Sequence, residues 1–321
     1  MNLLDGYGMD TITMAGTLEA KLAAMKGAGF SQVMLMARDL VTHPGGVAAA
    51  VQAVRASGMR PTGFQVLRDF EGLSGHLHSY KLDIAKSMLE MCAATGSKVL
   101  LACSSTSRHA SQDLDQIAAD LKKLAMLAVP LGIKVAYEAL SWGRTVNEFP
   151  VSWDVVCRAD CPNLGIGLDS FHIFAAKTPL DAIEELDPSR IFLVQLSDFM
   201  WQETPTFEER MTTARTFRVF PGEGCTAISW PIWCCAWTAS VTGAITVSKS
   251  STTITSNCLW TPWPNGLAAV PPGCTRMCCT SPRLCRCGPV NARQPDPGLR
   301  GRPLKNIGAA PIPVIKGACA P

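Results

Sequence analysis

Three apolar runs in this chain each end in a side chain able to bind a divalent cation. Lys134-Val-Ala-Tyr-Glu138 ends in a carboxylate, Leu164-Gly-Ile-Gly-Leu-Asp169 in another, and Ile191-Phe-Leu-Val-Gln195 in a carboxamide. Hard cations such as Mg²⁺ and Mn²⁺ take carboxylate and amide oxygens in preference to thiolates, so these three residues suit such an ion. His172 lies three residues beyond Asp169. A neutral imidazole there is suited to taking and returning a proton, or else to orienting a carboxylate by a hydrogen bond. Arg68 and Arg218 can each grip a substrate carboxylate through paired N–H groups, or serve as salt bridges at a rim. His76 and His78 follow a Gly-rich turn and, with Ser104 and Trp142, are weaker candidates for lining a pocket. His43 and His109 read as surface loop residues.

The gaps between the three ligand candidates are 31 and 26 residues, about one strand-loop-helix-loop unit each. In a closed parallel barrel all strands run the same way, so residues at their C-terminal ends converge on one face. The rest of the first 224 residues carries the same pattern. Strands are expected at Thr11–Met14, Gln32–Ala37, Pro61–Leu67 and Lys98–Ser104. Helices are expected at Leu18–Gly27, Gly46–Ser57, Lys81–Thr95 and Asp113–Val129, then near Trp153–Cys157 and Pro179–Leu186. Short buried runs alternating with amphipathic helices predict a parallel sheet covered by helices. Seven units in this length favour a TIM-type α/β barrel over an open sheet. An eighth strand should follow the seventh, yet Trp230-Pro-Ile-Trp-Cys-Cys-Ala-Trp237 and the Ser/Thr-rich residues after it resemble none of the preceding units.

The chain changes character near Gly224. Residues 1–224 carry 20 Lys+Arg against 25 Asp+Glu and four cysteines, whereas residues 225–321 carry nine Lys+Arg, one acid (Asp296), ten cysteines and thirteen prolines. The basic balance therefore belongs to the tail and gives no reason to expect a nucleic-acid partner. Four scattered cysteines in the first part and the lack of a secretory pattern fit a reduced, cytoplasmic protein. The uncharged stretch 225–248 is long enough to span a bilayer, but Pro231 and many Ser and Thr residues argue against a membrane segment.

The segments GFQVLRDFEGLSGHLH (63–78), MLEMCAATGSKVLLACSS (88–105), AYEALSWGRTVNEF (136–149), GLDSFH (167–172), FLVQLSDFMWQE (192–203) and RVFPGEG (218–224) resemble the bacterial 3-dehydroshikimate dehydratases. That family belongs to the xylose-isomerase-like sugar phosphate isomerase/epimerase barrels. The resemblance implies a metal-dependent lyase acting on a small molecule, 3-dehydroshikimate, to give protocatechuate in aromatic catabolism. It also implies that His172 faces substrate, and that a glutamate on the eighth strand is a fourth metal ligand. A sugar phosphate isomerase or epimerase on the same barrel is the first alternative, and a non-catalytic remnant the second. A nuclease on this barrel type fits poorly with its acidic, histidine-poor barrel part.

The resemblance stops after the GEG. Reading the third base of each codon with the first two of the next, Ala244–Cys258 (AITVSKSSTTITSNC) permits DYSFEVFNDDYQQL. SFEVFND has the character of the missing strand, and its glutamate codon would straddle Ser248 and Lys249. This pattern reads as a one-base frameshift near codon 224. It predicts a barrel domain over 1–224 with seven of eight strands in frame, and a disordered, non-globular tail over 225–321. The tail cysteines lack repeated C-x-x-C pairs with zinc spacing, and its Arg-containing stretch is treated as an accident of an unselected frame.

Overall fold

Alternation of inward and outward residues along seven buried runs, with helices between them, produces the expected ring. The structure, a computed structural model, describes residues 6–200, 203–221, 223–224 and, as backbone, Ile245–Ser248. Parallel strands β1 (Tyr7–Asp10), β2 (Gln32–Met36), β3 (Arg60–Arg68), β4 (Val99–Cys103), β5 (Lys134–Glu138), β6 (Leu164–Asp169) and β7 (Ile191–Leu196) lie side by side. A two-stranded antiparallel pair, β8 (Asp198–Phe199) with β9 (Arg218–Val219), stands beyond β7. Strand β10 (Ile245–Ser248) pairs in parallel with both β7 and β1 and closes the barrel.

The expectation that no in-frame strand fills the eighth position is therefore corrected at the level of the backbone. A closing strand is recognised by the peptide N–H and C=O groups of its two neighbours. Ile245-Thr-Val-Ser248, mostly β-branched, meets the conformational demand of that slot. It brings no carboxylate in its sequence. Apart from this strand, the tail 225–321 and its proposed domain boundary lie outside the described residues.

Helices α1 (Leu18–Gly27), α2 (Ala37–Val41), α3 (Gly46–Ser57), α4 (Gly75–Thr95), α5 (Leu114–Ala128), α6 (Phe149–Ala159), α7 (Ser170–Ala176) and α8 (Phe207–Thr216) supply the outer layer and the mouth. Helix α5 shows how they are specified: Asp113 caps it by accepting the Asp115 N–H, and Ile117, Leu121, Leu124 and Ala128 recur on its buried face. Among the described residues no helix is long and apolar enough to cross a membrane.

Inside the ring, Met34, Leu101, Ala136 and Leu193 share one apolar cluster with Cys103. Glycine makes room for it: a Cβ at Gly167 would lie 3.3 Å from Leu101 and 3.6 Å from the Glu138 Cβ. The lower barrel is thus filled with side chains, and polar residues gather at its C-terminal mouth.

Two elements differ from expectation. Thr11–Thr13 is a 3₁₀ turn rather than the first strand, because the Asp10 carboxylate accepts the Ile12 N–H and Thr13 Oγ1 donates to the Asp10 carbonyl. The segment after α7 holds two 3₁₀ turns, Asp181–Glu185 and Pro188–Arg190, in place of the expected helix.

Candidate metal centre

Strands β5, β6 and β7 end side by side, which brings their last inward residues to one level. Asp169 pairs in register with Gln195, and Glu138 with Gly167. Glu138, Asp169 and Gln195 are all buried, as is His172 in the first turn of α7. One ligand atom from each of Glu138, Asp169 and His172 lies within 4.8 Å of the others. His172 Nε2 stands 3.8 Å from Glu138 Oε1 and 3.9 Å from Asp169 Oδ2. The Gln195 amide nitrogen faces Met34 Sδ at 3.7 Å, so the carboxamide oxygen is the atom turned away from that apolar wall.

Two buried carboxylates this close need positive charge or protons between them. Part of it comes from Arg218, which sequence reasoning assigned to a substrate carboxylate. Its Nη1 donates to both Asp169 oxygens at 2.8 Å and to Ser197 Oγ at 2.9 Å, while its guanidinium lies over the Phe171 ring at 4.4 Å. Arg218 is thus already engaged with a candidate ligand. Cys103, at the end of β4, donates its thiol to Glu138 Oε2 at 2.8 Å.

A divalent cation fits this donor set. The oxygens of Glu138, Asp169 and Gln195 are hard ligands, and all three side chains are buried at the ends of adjacent strands. A small cavity lined by Gly167, Asp169, His172 and Glu148, among others, adjoins the cluster.

The other sequence candidates are placed differently. Arg68 ends β3 exposed, and its carbonyl accepts Lys81 Nζ at 2.7 Å. His76 and His78 belong to α4, which begins at Gly75 rather than at Lys81. His78 Nε2 meets Lys123 Nζ on α5 at 3.3 Å, on the outer layer of the barrel. The residues taken for a loop thus form the first turns of a helix that packs on its neighbour. Trp142 stands against His172, and Ser104 borders the site through its main chain. Ser104 N donates to the Glu138 carbonyl at 2.9 Å, and the Trp142 ring meets His172 edge-on, centroids 4.9 Å apart. His43 bonds Glu19 at 2.8 Å, and His109 is exposed. Gly224 N donates to Asp198 Oδ2 at 3.1 Å, and a Cβ there would collide with the same carboxylate, which explains the glycine. Gly222 lies outside the described residues.

Sequence reasoning missed four residues. Asp10 ends β1 fully buried and accepts a hydrogen bond from Gln65 Nε2. Its signal was an apolar run ending in a carboxylate, Tyr7-Gly-Met-Asp10, the same cue that marked Asp169. Ser141 holds His172 through its backbone N–H, which no sequence pattern displays. Glu71 lies outside the barrel wall and accepts the Ser105 N–H at 2.5 Å and the Tyr137 hydroxyl at 3.0 Å. Burial, with Asp69 adding to it, pushes Glu71 up to about 7, and Tyr137 is raised well above its ordinary value by burial and by Glu71.

Comparison with known proteins agrees with this architecture. The model of the xylose isomerase-like TIM barrel family matches residues 22–232. A 3-dehydroshikimate dehydratase of Pseudomonas putida is 35% identical over 214 residues, covering 67% of this chain and 33% of that protein. The chain thus spans about one third of the length of that relative. A solved xylose isomerase-like TIM barrel/4-hydroxyphenylpyruvate dioxygenase fusion protein superposes with a TM-score of 0.69 at 31% identity, covering 77% of this chain and 38% of that one. The IolI protein, solved with a bound zinc atom, superposes at 0.62 with 21% identity, covering 75% of this chain and 87% of that one.

Proposed function

Because this chain belongs to the xylose isomerase-like TIM barrel family, we propose that its barrel is built for the metal-dependent dehydration of 3-dehydroshikimate to protocatechuate. The observation that carries this reading is the buried meeting of Glu138, Asp169 and His172 at adjacent strand ends, in a chain 35% identical to a Pseudomonas dehydratase.

Losing water from a β-hydroxy ketone requires removal of a proton beside the carbonyl, stabilisation of the enolate that results, and an acid for the departing hydroxyl. Loss of one water and an enol shift then make the ring aromatic. A divalent cation, Mg²⁺ or Mn²⁺, held by Glu138, Asp169 and Gln195 would polarise the carbonyl oxygen. His172 is the residue of this chain placed to hold or move a proton beside that oxygen. Arg218, through its grip on Asp169, fixes the carboxylate and offsets part of the site's negative charge. Trp142 limits the swing of the imidazole and keeps water from its face.

A second reading rests on the closing strand. Ile245-Thr-Val-Ser248 has no carboxylate, so among the described residues the eighth strand offers no glutamate for the fourth ligand that the family resemblance implies. On our reading of the tail as frameshifted, the shifted glutamate falls at 248–249, next to the strand that the backbone already forms. The barrel as written is then a remnant that holds the fold without full turnover. The deciding assay offers 3-dehydroshikimate and Mn²⁺ to this chain and to one carrying SFEVFND in the eighth strand, with release of an aromatic product as readout. Turnover restored by the glutamate supports the dehydratase reading. No aromatic product from either chain, with interconversion of ketoses instead, would replace it by an isomerase.

A further inference from the structure

The ring of His172 is held on three sides. Trp142 and Phe171 meet it edge-on, with centroids at 4.9 and 5.3 Å, and Nδ1 faces Ser141. There the Ser141 backbone nitrogen and its Oγ both lie 3.1 Å from Nδ1. A peptide N–H can only donate, so Nδ1 must present its lone pair. A proton on Nδ1, alone or in an imidazolium, would set N–H against N–H. Turning the ring over would replace the acceptor with a C–H. The contact of Arg218 Nη2 with Nε2 calls for the opposite tautomer, but it is longer, 3.5 Å, and Arg218 has Asp169 as its partner at 2.8 Å. The contacts at Nδ1 therefore decide.

The proton of the neutral ring then sits on Nε2, the atom 3.8 Å from Glu138 and 3.9 Å from Asp169. A histidine that binds metal through Nε2 shows the reverse arrangement, with Nδ1–H donating to a carbonyl or carboxylate and the lone pair on Nε2. Distance alone would group His172 with the two carboxylates as a third ligand. Hydrogen-bond polarity separates it from them.

We infer that the Ser141 amide is a positioning group that locks His172 in its Nε2–H form. His172 then stands outside the coordination of a cation held by Glu138 and Asp169, and donates a fixed hydrogen bond to an oxygen placed between them. The ligand chemistry is that of a substrate carbonyl or hydroxyl oxygen. This deepens the proposed dehydratase reading and rests on it for the identity of that oxygen, but not for the tautomer.

The test is long-range proton–nitrogen correlation on the full chain labelled with nitrogen-15 histidine, in mildly alkaline buffer, with H172N used to assign the His172 signals. The expected spectrum has a pyridine-type Nδ1 and a pyrrole-type Nε2, unchanged by Mg²⁺ or Zn²⁺. S141A keeps the backbone N–H and should keep that pattern. A pyrrole-type Nδ1, an imidazolium, or loss of the Nε2 proton when Zn²⁺ is added would each overturn the inference. Calorimetric titration with Mn²⁺ separates the two claims. Absence of binding heat together with the expected tautomer would remove the metal reading and leave the Ser141 lock standing.

Discussion

Tyr137 and Glu138 are consecutive residues of β5, and they enter two different clusters of buried carboxylate. Outside the barrel wall, Glu71 accepts hydrogen bonds from Tyr137 and Ser105, and among the described residues no cation pairs with it. Burial pushes its carboxyl up to about 7. Inside the wall, Glu138 and Asp169 share a space less than 5 Å across with His172, and Arg218 binds both oxygens of Asp169. The outer cluster can settle its charge with a proton. The inner one uses a fixed guanidinium and ligand oxygens that suit a metal. Permanent charge is thus concentrated where a substrate could meet it, and the supporting wall tends toward neutrality.

The comparison is broken most strongly by removing one side of the inner pair. D169A leaves Arg218 buried without its counter-charge, and R218M does the converse; each should cost about 3–5 kcal/mol, read from urea unfolding. An unchanged midpoint in both would show that the pair is not a structural element. E71Q is expected to act in the opposite direction. The carboxyl of Glu71 rises from an ordinary 4.5 to about 7 on folding, so its protonated form is favoured in the native state. Its stabilising contribution is complete below pH 4.5 and is lost as pH climbs toward 7. E71Q should match the parent in acid and exceed it by about 3 kcal/mol above neutrality. Equal stability at both ends of the range would show that Glu71 does not hold a proton.

Smaller effects sharpen the contrast. Mn²⁺ at about a hundred times its Kd should add about 2.7 kcal/mol, removable with EDTA and absent in E138A; a gain that survives E138A would place the metal elsewhere. Y137F deletes a donor to Glu71, costing about 1 kcal/mol. It should move the upper end of the pH window over which the Glu71 contribution is lost to higher pH, since that hydroxyl holds the Glu71 carboxyl down. At the low end, R68A and H78A should each change stability by no more than about 0.5 kcal/mol. Both lie outside the buried cluster, and a large rise in KM for R68A alone would return that arginine to substrate binding.

What was legible in the sequence follows from how each feature is encoded. Glu138, Asp169 and Gln195 were readable because they end apolar runs spaced by one unit, and a parallel barrel brings such ends together. Asp10 carries the same mark but was passed over, since β-branched Thr11-Ile-Thr13 looked like a strand. The Asp10 side chain instead draws those residues into a capped turn. His78 was read as a loop residue because glycines precede it, yet Gly75 starts the helix. The polarity at His172 depends on a backbone amide, which is common to every non-proline residue and so leaves no trace in the letters. The eighth strand was unreadable for a related reason. Its slot asks for an extended backbone, and Ile245–Ser248 meets that request without resembling any of the units before it.

That closing strand has a consequence for the behaviour of the molecule in concentrated solution. Without it, β1 and β7 would each present an open row of peptide donors and acceptors, the arrangement that recruits strands from neighbouring molecules. Val247 pairs with Gln195 on one side and Gly8 on the other, so both rows are used up within the chain. Whatever its part in turnover, such a strand can protect against aggregation, and a loss-of-function screen scored on activity alone would never detect that role.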